Sequence, residues 1–343
     1  MSSNPLQIID ISQPEQATAT KLLDAAREQG FLFVDGHDFT QEEVDLLFEL
    51  SNRFFTTTPH EEKLKYFFDA VNNFGYTDFS SEQLDLTKGR DFKECYNFGS
   101  INFSNGTFNT PNPEAKVSSP EQNETPELLK NQSDLIVSIL HKYHRVATEI
   151  LRLITIALEI EDHSFFTAKM KPNQKNGCVM RFLRYPLIRD DDLQGDSTLD
   201  PTIRAGAHTD YGALALLMQR NGQQGLELQI DKTSEEWVKV PFVPPKYQGK
   251  APPLVVNFGD MLSYWTNGVL RSTNHRVKFS PGETRTSDRY SIVFFVHPDA
   301  NTTLDAVPSK IVEDASDGNT NPTLTALQYL QKRLKETYEW QQS

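Results

Sequence analysis

The sequence predicts an α+β protein in which a core of short β-strands is flanked by helices before and after it. Three patterns lead to this prediction. Residues 178–298 consist of short apolar or alternating runs divided by turn residues, which is typical of a β-sandwich or barrel. Residues 135–154 carry an apolar stripe at helical spacing, and a shorter stripe on Leu327, Leu330 and Leu334 follows the β-rich segment.

Ahead of this core, the first third of the chain is predicted to form helices around a short strand. A helix begins at Ser12 and ends at Gly30, and residues 31–34 form a short apolar strand. Thr40 and Glu43 make a capping box that begins the next helix. We therefore place this region outside the β core.

Residues 97–124 are rich in Asn, Ser, Pro and Gly and are predicted to form a long irregular loop. Loops of this length in compact domains are often functional, so we expect this one near a site. Thr125 and Pro126 then open the longest helix, and Thr323 lies near the cap of the last one. The predicted strands of the core are 179–183, 214–218, 226–230, 253–257 and 290–296.

These patterns divide the chain into four regions. In order, they are a helix-and-strand region that ends in the long loop, a long helix with its connection, the β core, and a C-terminal helix packed on that core. The four regions occupy residues 1–124, 125–174, 175–300 and 301–343.

Composition places the chain among globular proteins and argues against several partners. Hydrophobic residues make up 37% and charged residues 24% of 343, which is ordinary for a globular protein. The formal net charge of -13 argues against nucleic acid and anionic membranes, which are bound by clustered Lys and Arg. No apolar run approaches the roughly 20 residues of a membrane span. We therefore expect a small-molecule substrate, no nucleic acid and no membrane, while nothing in the sequence specifies an oligomeric state.

The N-terminus and the cysteines predict a cytoplasmic location. The opening segment, MSSNPLQIIDIS, lacks the basic start and apolar stretch of a secretory signal. The two cysteines, Cys95 and Cys178, fit no metal or redox spacing, so we expect free thiols. The nucleus stays open as an alternative location.

His208, Asp210 and His275 are the candidate metal ligands and catalytic centre. His208 and Asp210 stand at i and i+2, so on a strand both would point to the same face. His275, just ahead of another predicted strand, can supply a third ligand. Two histidines and one carboxylate on one face of a metal leave other positions open, which is the arrangement of Fe(II) oxygenases. The tripeptide alone is weak, because a half-exposed His is the ordinary alternative.

Arg289 and Ser291 are the candidate anion-binding pair. They also stand at i and i+2, on the predicted strand that follows His275. The guanidinium offers a fork of donors that matches a carboxylate, and the hydroxyl adds one hydrogen bond. Val293 and Phe295 continue the same face, so that face is not simply solvated. The pair suits the distal carboxylate of a dicarboxylic acid whose other end chelates the metal.

Several segments together resemble the isopenicillin N synthase-like branch of the 2-oxoglutarate and iron-dependent dioxygenases. The resemblance covers nearly the whole chain, and its segments occur in the order of the family. The segments are AHTDYGA at 207–213, VNFGDM at 256–261, STNHRV at 272–277, RYSIVFF at 289–295, and outside the core AREQGF at 26–31, GRDFKE at 89–94 and TALQYL at 325–330.

This resemblance implies a double-stranded β-helix, the jelly-roll or cupin-like architecture, with Fe(II) in its mouth. It also implies 2-oxoglutarate and O2 as co-substrates, release of succinate and CO2, and hydroxylation or desaturation of a small molecule. Tyr185 stands where the family has a Tyr near the co-substrate, although Leu183 and Arg184 precede it where many relatives have Asn and Tyr. The substrate itself is not implied.

Two alternatives concern the reaction and one concerns the carboxylate clamp. An oxidase of the same fold could work without 2-oxoglutarate, and a non-catalytic binding protein could retain the fold, although an intact triad argues against the second. Arg285 and Ser287 form a second Arg-x-Ser, at a distance from His275 that is common in the family. We prefer Arg289, because the apolar strand continues directly from it, whereas Arg285 stands in a segment typical of turns.

The remaining histidines carry weaker hypotheses. His141 and His144 could bind a metal from one helix face, but an ordinary amphipathic helix is the better explanation. The isolated histidines are interpreted as loop or helix-edge residues, and they are His37, His60, His163 and His297. For the walls of a substrate pocket we propose residues 97–124, Phe182 and Phe295.

Overall fold

The protein is described here from a computed structural model. The described residues are 4–13, 15–69, 73–85, 89–110, 124–188, 200, 202–279, 287–316 and 322–338. Their strands are β1 (Ile8–Asp10), β2 (Phe31–Asp35), β3 (Gly75–Thr77), β4 (Glu94–Phe98), β5 (Val179–Tyr185), β6 (Ile203–His208), β7 (Leu214–Met218), β8 (Leu226–Leu228), β9 (Val238–Lys239), β10 (Leu254–Phe258), β11 (His275–Lys278) and β12 (Arg289–Val296).

The helices lie mostly before and after the strands of the core, as predicted. They are α1 (Glu15–Glu28), α2 (Gln41–Thr57), α3 (His60–Lys65), α4 (Glu127–Lys130), α5 (Ser133–Ala157), α6 (Asp260–Trp265), α7 (Lys310–Asp314) and α8 (Ala326–Tyr338). Among the described helices, none combines the length and apolar character needed to cross a membrane.

Two sheets build the β core. The larger has eight strands in the order β1-β2-β10-β7-β12-β5-β4-β3, and the smaller has four in the order β6-β11-β8-β9. Both combine strands from distant parts of the chain, and all pairings except β1 with β2 are antiparallel. This is the double-stranded β-helix, or jelly roll, and the predicted fold class is confirmed.

The larger sheet is buried on both faces. One face packs against the helices, where the ring of Tyr143 on α5 stacks on Phe294 of β12 with centroids 5.0 Å apart. The alternate residues of β12, such as Ser291 and Val293, line a cavity between the sheets. Because side chains alternate along a strand, β12 faces the helical layer and the cavity in turn.

The N-terminal region contributes more to the sheet than the sequence suggested. Its four strands occupy both edges of the larger sheet, with β3 and β4 at one and β1 and β2 at the other. The larger sheet therefore extends beyond residues 175–300, where the sequence placed the β core. The strands β3 and β4 escaped prediction because they are short and mix Asn, Glu and Thr with aromatic residues, so they lack a clear alternation of apolar and polar residues.

Helix ends follow local capping. Thr40 and Glu43 form the predicted capping box at the start of α2. The helix expected from Thr125 is interrupted after Lys130, where the amide of Gln132 bonds the carbonyl of Leu129. The last helix is capped at Thr325 rather than near Thr323, because the hydroxyl of Thr325 accepts from the amide of Gln328 and the Gln328 side chain accepts from the amide of Thr325.

Candidate functional site

Three side chains converge where the two sheets face each other. His208 ends β6, His275 begins β11, and the two residues pair across the smaller sheet. Asp210 Oδ1 lies 3.8 Å from the Nε2 atom of each histidine. The three ligand atoms lie within 4.8 Å of one another. The predicted metal ligands therefore come together, although Asp210 lies two residues beyond the end of β6 rather than on the strand.

Backbone carbonyls fix the orientation of both imidazoles. Nδ1 of His208 lies 2.8 Å from the carbonyl of Gly206, and Nδ1 of His275 lies 3.1 Å from the carbonyl of Thr273. A carbonyl only accepts, so each Nδ1 carries the proton and each Nε2 presents its lone pair towards Asp210. This is the tautomer that a metal-binding histidine needs.

The carboxylate of Asp210 is held in a complementary way. The side-chain amide of Asn257 donates to Oδ2 at 2.8 Å, which leaves Oδ1 facing the two histidines. The backbone amide of Asp260 donates to the Asp210 carbonyl at 2.7 Å and holds the loop. Sequence reasoning missed Asn257, since it belongs to another strand and nothing local marks its partner.

A link from the C-terminal helix holds the same loop. The hydroxyl of Thr209 donates to Asp260 Oδ2 at 2.8 Å, and Arg333 of α8 pairs with the same carboxylate oxygen. The guanidinium of Arg333 also lies over the ring of Tyr211, 4.7 Å from its centroid. Helix α8 is therefore attached directly to the segment that carries Asp210.

The donor set fits a divalent iron ion. Burial, and secondarily the neighbouring His275, lowers the pKa of His208 to about 3, so its imidazole is neutral near pH 7. Two neutral imidazole nitrogens and one carboxylate oxygen on one side of a cavity match the two-His, one-carboxylate arrangement of Fe(II) oxygenases. The oriented tautomers and the hydrogen-bonded carboxylate complete that match.

The cavity in front of the triad has a volume of about 160 Å³. Alternate residues of two paired strands form one wall. From β12 these are Arg289, Ser291, Val293 and Phe295, and from β5 they are Val179, Arg181, Leu183 and Tyr185. In the antiparallel register Arg289 stands opposite Tyr185, and Val293 stands opposite Arg181. The wall is therefore polar at its Arg289 end and polar again at Arg181, one residue pair before the apolar pair Phe295 and Val179 that closes it.

The first polar end contains the predicted anion-binding residues. Arg289 and Ser291 are 2% and 3% exposed, so the strand buries both of them. Arg289 Nε donates to the carbonyl of Gln223 at 2.7 Å, and its guanidinium lies over the ring of Tyr185, 4.8 Å from the centroid. Burial raises the pKa of Tyr185, which keeps its phenol neutral. Arg285, the competing candidate, lies outside the described residues.

The second polar end was not predicted. Arg181 Nε donates to Asn97 Oδ1 at 2.6 Å, and Asn97 in turn donates to Asn73 Oδ1 at 3.3 Å. The guanidinium lies over the ring of Phe295, 5.5 Å from its centroid, and 3.7 Å from Glu82. These residues come from separate segments of the chain, so only the register of β4, β5 and β12 brings them together.

The structure places Phe182 outside the cavity wall and His297 in it, which the sequence did not predict. Phe182 is fully buried in the helical layer against Phe98, because its neighbours Arg181 and Leu183 face the cavity. His297 follows the end of β12, as expected of a loop residue, but it is 5% exposed and lines the cavity, which the sequence did not indicate. Burial lowers the pKa of His297 to about 4. Phe295 lines the cavity as expected.

The remaining predicted features are two histidines on α5, two cysteines and the loop at 97–124. His141 and His144 each bond a backbone carbonyl, of Phe103 at 2.8 Å and of Met170 at 3.1 Å, as expected of an ordinary helix. Cys95 and Cys178 are buried free thiols. Of the proposed loop 97–124, Asn97 lines the cavity and residues 111–123 lie outside the described part of the chain.

Comparison with known families gives two matches along the chain. The model described as the 2OG-Fe(II) oxygenase superfamily matches residues 176–298. The model described as the non-haem dioxygenase in morphine synthesis N-terminal matches residues 6–122. The first range contains the triad, and it also contains Arg289 and Ser291.

Similar proteins align with almost the whole chain. A UPF0676 protein of Schizosaccharomyces pombe is 31% identical, over 98% of this chain and 94% of its own length. Azadirone synthase LFS of Melia azedarach is 28% identical, over 96% and 92%. Among solved structures, a 2OG-Fe(II) oxygenase family protein from Caulobacter crescentus has a TM-score of 0.73 at 25% identity, covering 97% and 99%. A full-length Neurospora crassa protein in complex with alpha-KG and thymine has a TM-score of 0.75 at 22% identity, covering 97% of each chain.

Proposed function

The chain belongs to the 2-oxoglutarate/Fe(II)-dependent dioxygenase superfamily, and from that premise we propose that it hydroxylates or desaturates a small molecule with release of succinate and CO2. Members of this superfamily are oxidoreductases that use Fe(II), 2-oxoglutarate and O2. The observation that carries the proposal is the meeting, in one cavity, of an oriented His-Asp-His triad and a buried Arg-Ser pair.

In this proposal His208, Asp210 and His275 hold the iron. Their ligand atoms point to one side, so the positions opposite them stay open to co-substrate and oxygen. The carbonyls that fix each Nδ1 proton keep both Nε2 atoms ready as ligands. Asn257 keeps Asp210 turned towards the histidines, so a single oxygen of that carboxylate serves the metal.

Arg289 and Ser291 bind the distal carboxylate of 2-oxoglutarate. A buried guanidinium and a neighbouring hydroxyl can together give a carboxylate three directed hydrogen bonds. The ring of Tyr185 supports the guanidinium from one side. Apolar residues that line the same cavity, such as Leu217, suit the methylene groups of the co-substrate.

When bound, iron(II) together with 2-oxoglutarate and O2 supplies the oxidising chemistry. The protein's own residues orient the co-substrate and substrate, and the largely apolar walls exclude water from the reacting atoms. Succinate keeps both carbon atoms next to the clamped carboxylate, so the contacts of Arg289 and Ser291 persist through the reaction.

The proposal is tested by succinate release from purified protein supplied with Fe(II), 2-oxoglutarate and O2. We expect release by the wild-type protein and a loss of about 100-fold or more in His275→Ala, because two remaining ligands hold the ion poorly. His163→Ala is the matched control, since His163 is exposed, and it should behave as wild type. Full turnover and iron content in His275→Ala would exclude the assigned triad.

A further inference from the structure

A second, larger cavity lies outside the first. Its volume is about 490 Å³, about three times the 160 Å³ of the inner cavity. Its walls come from the segment after β4, from the segment before β5 and from α8. The described residues that line it are Asn73, Ser100, Ile101, Asn102, Asn105, Thr107, Thr110, residues 173–177, Leu327, Leu330, Gln331 and Leu334.

The two cavities share a boundary. Asn73, Leu330 and Leu334 line both of them. Asn73 accepts a hydrogen bond from Asn97, which in turn accepts one from Arg181 in the inner cavity. The two cavities are therefore adjacent, with Asn73 and the two leucines at the boundary between them.

The size of the inner cavity makes an extension beyond it necessary for all but the smallest substrates. A bound water needs about 10–15 Å³ of such space, so 160 Å³ holds about a dozen water-sized groups. The co-substrate, with about ten non-hydrogen atoms, takes a large part of that room. About two water-sized spaces are left beside the iron, so the greater part of any larger substrate must extend beyond the inner cavity.

The described part of the outer cavity's lining is polar without being strongly charged. Among its described lining residues, most of the polar side chains are amides or hydroxyls, and the only charged one is Lys175. Lys175 is exposed, so water screens its charge. Amides and hydroxyls both donate and accept hydrogen bonds, which suits a partner that carries hydroxyl or amide groups.

The charged side chains around Arg181, beside the inner cavity, also neutralise one another. Arg181 and Lys93 carry positive charge there, and Glu82 and Asp91 carry negative charge. Lys93 lies 2.6 Å from Asp91 and 3.2 Å from Glu82, and Arg181 lies 3.7 Å from Glu82. These four side chains sum to zero, so a charged substrate group placed beside them would lose water without gaining a net countercharge.

We propose that the outer cavity is the second half of the substrate site and holds the uncharged, hydrogen-bonding part of an elongated small molecule. The reacting end lies between the triad and Arg181, and the hydroxyl- or amide-bearing end lies beyond Leu330 and Leu334. This inference rests on the proposed function, because it assumes that the inner cavity holds iron and 2-oxoglutarate.

Filling the outer cavity tests the position of the substrate. Gln331 is exposed on α8 and lines the cavity, whereas its neighbour Lys332 is exposed and does not line it. Gln331→Trp places bulk in the cavity, and Lys332→Trp is the matched control on the same helix. Asn173→Trp fills the cavity from the opposite wall and guards against an effect of α8 alone.

The readout is oxidised product formed per succinate released, with a small-molecule extract of the source cells as the probe. We expect Gln331→Trp and Asn173→Trp to lower this ratio by about tenfold or more, the loss expected when a few hydrogen-bonded contacts are displaced. Lys332→Trp should keep the wild-type ratio. Equal ratios in all four proteins would overturn the outer cavity as a substrate site, whereas wild-type protein that releases no succinate would contradict the proposed function instead.

Fractionation of the same extract tests the substrate class. After passage over cation- and anion-exchange resins at pH 7, the uncharged fraction should support the wild-type yield of oxidised product. Product formed only from a fraction retained by either resin would overturn the uncharged class, and it would leave the iron chemistry intact.

Discussion

The two polar ends of the β5 and β12 wall differ in how their arginines are held. Arg289, at one end, is positioned by the carbonyl of Gln223 and by the ring of Tyr185. Arg181, near the other end, contacts the amide of Asn97 and stands beside the carboxylate of Glu82. The two arginines lie on the same wall, with Arg181 opposite a residue only two positions beyond Ser291.

In the proposed function, this difference would separate recognition of the co-substrate from recognition of the substrate. A buried guanidinium positioned by a carbonyl and an aromatic ring can direct its charge to a carboxylate ligand. A guanidinium beside Glu82 and Lys93 belongs to a network whose charges already cancel, so it offers directed donors rather than net charge. The first end therefore suits a dicarboxylate, and the second suits a neutral acceptor.

The largest effect that this comparison predicts is at Arg289. Arg289→Ala should raise the 2-oxoglutarate concentration for half-maximal succinate release by about 30-fold to several-thousand-fold, because a desolvated charge-assisted pair is lost. Arg289→Lys should restore part of the affinity, since Lys keeps the charge and loses the fork. Arg285→Ala is the control and should stay within about twofold. A large loss in Arg285→Ala alone would move the clamp to Arg285.

A smaller effect is expected at Ser291, the second member of the clamp. Ser291→Ala should weaken 2-oxoglutarate binding by about 1–3 kcal/mol, the range for one unmade hydrogen bond to a buried charged group. Thr266 follows the last residue of α6, and its buried hydroxyl donates to the carbonyl of Leu262. Thr266→Val is therefore a control. If both variants leave the 2-oxoglutarate requirement unchanged, the hydroxyl of Ser291 has no part in the clamp.

The third expected effect is on stability rather than on binding, and it concerns His297. His297 has an ordinary pKa of 6.5 that burial lowers to about 4, so the fold favours its neutral form. That contribution is complete above pH 6.5 and declines as the pH falls towards 4. Between pH 7 and pH 5 the loss is about 2 kcal/mol in the free energy of unfolding.

Metal-free wild-type protein should therefore lose about 2 kcal/mol more than His297→Gln between these two pH values. Urea unfolding of both proteins at each pH measures the difference, and the contribution of His208 cancels because both proteins contain it. Equal losses in the two proteins would show that His297 is not buried as a neutral side chain.

The sequence predicts the metal site well because its ligands are marked by short, chemically distinctive motifs. His208 and Asp210 are recognisable by their two-residue spacing, and His275 is recognisable as a single histidine just ahead of a predicted strand. Arg289 and Ser291 are visible for the same reason, since one strand presents both to one face. The many short strands between the helices predict a sandwich or barrel, and the resemblance to the dioxygenases implies the jelly roll.

The substrate end could not be predicted because it depends on register between distant strands. Arg181 meets Asn97 only through the pairing of β4 with β5. Phe182 was placed on the wrong face because the sheet is covered on both sides, so apolar residues occur at odd and even positions alike. His297 follows the end of β12 and precedes a proline, which gives no local sign that it is buried.

The central claim is that the triad binds iron and that 2-oxoglutarate joins it from the Arg289 end. Its most direct test is an anaerobic titration of 2-oxoglutarate into protein supplied with Fe(II). The visible absorption band of the complex is measured at each addition. Wild-type protein should develop the absorption band, and Arg181→Met should develop it with an affinity within about twofold of wild type, because Arg181 lies four residues along β5 from Tyr185, the residue opposite Arg289. His208→Ala should develop no band. A band in His208→Ala, or its loss in Arg181→Met, would contradict the account.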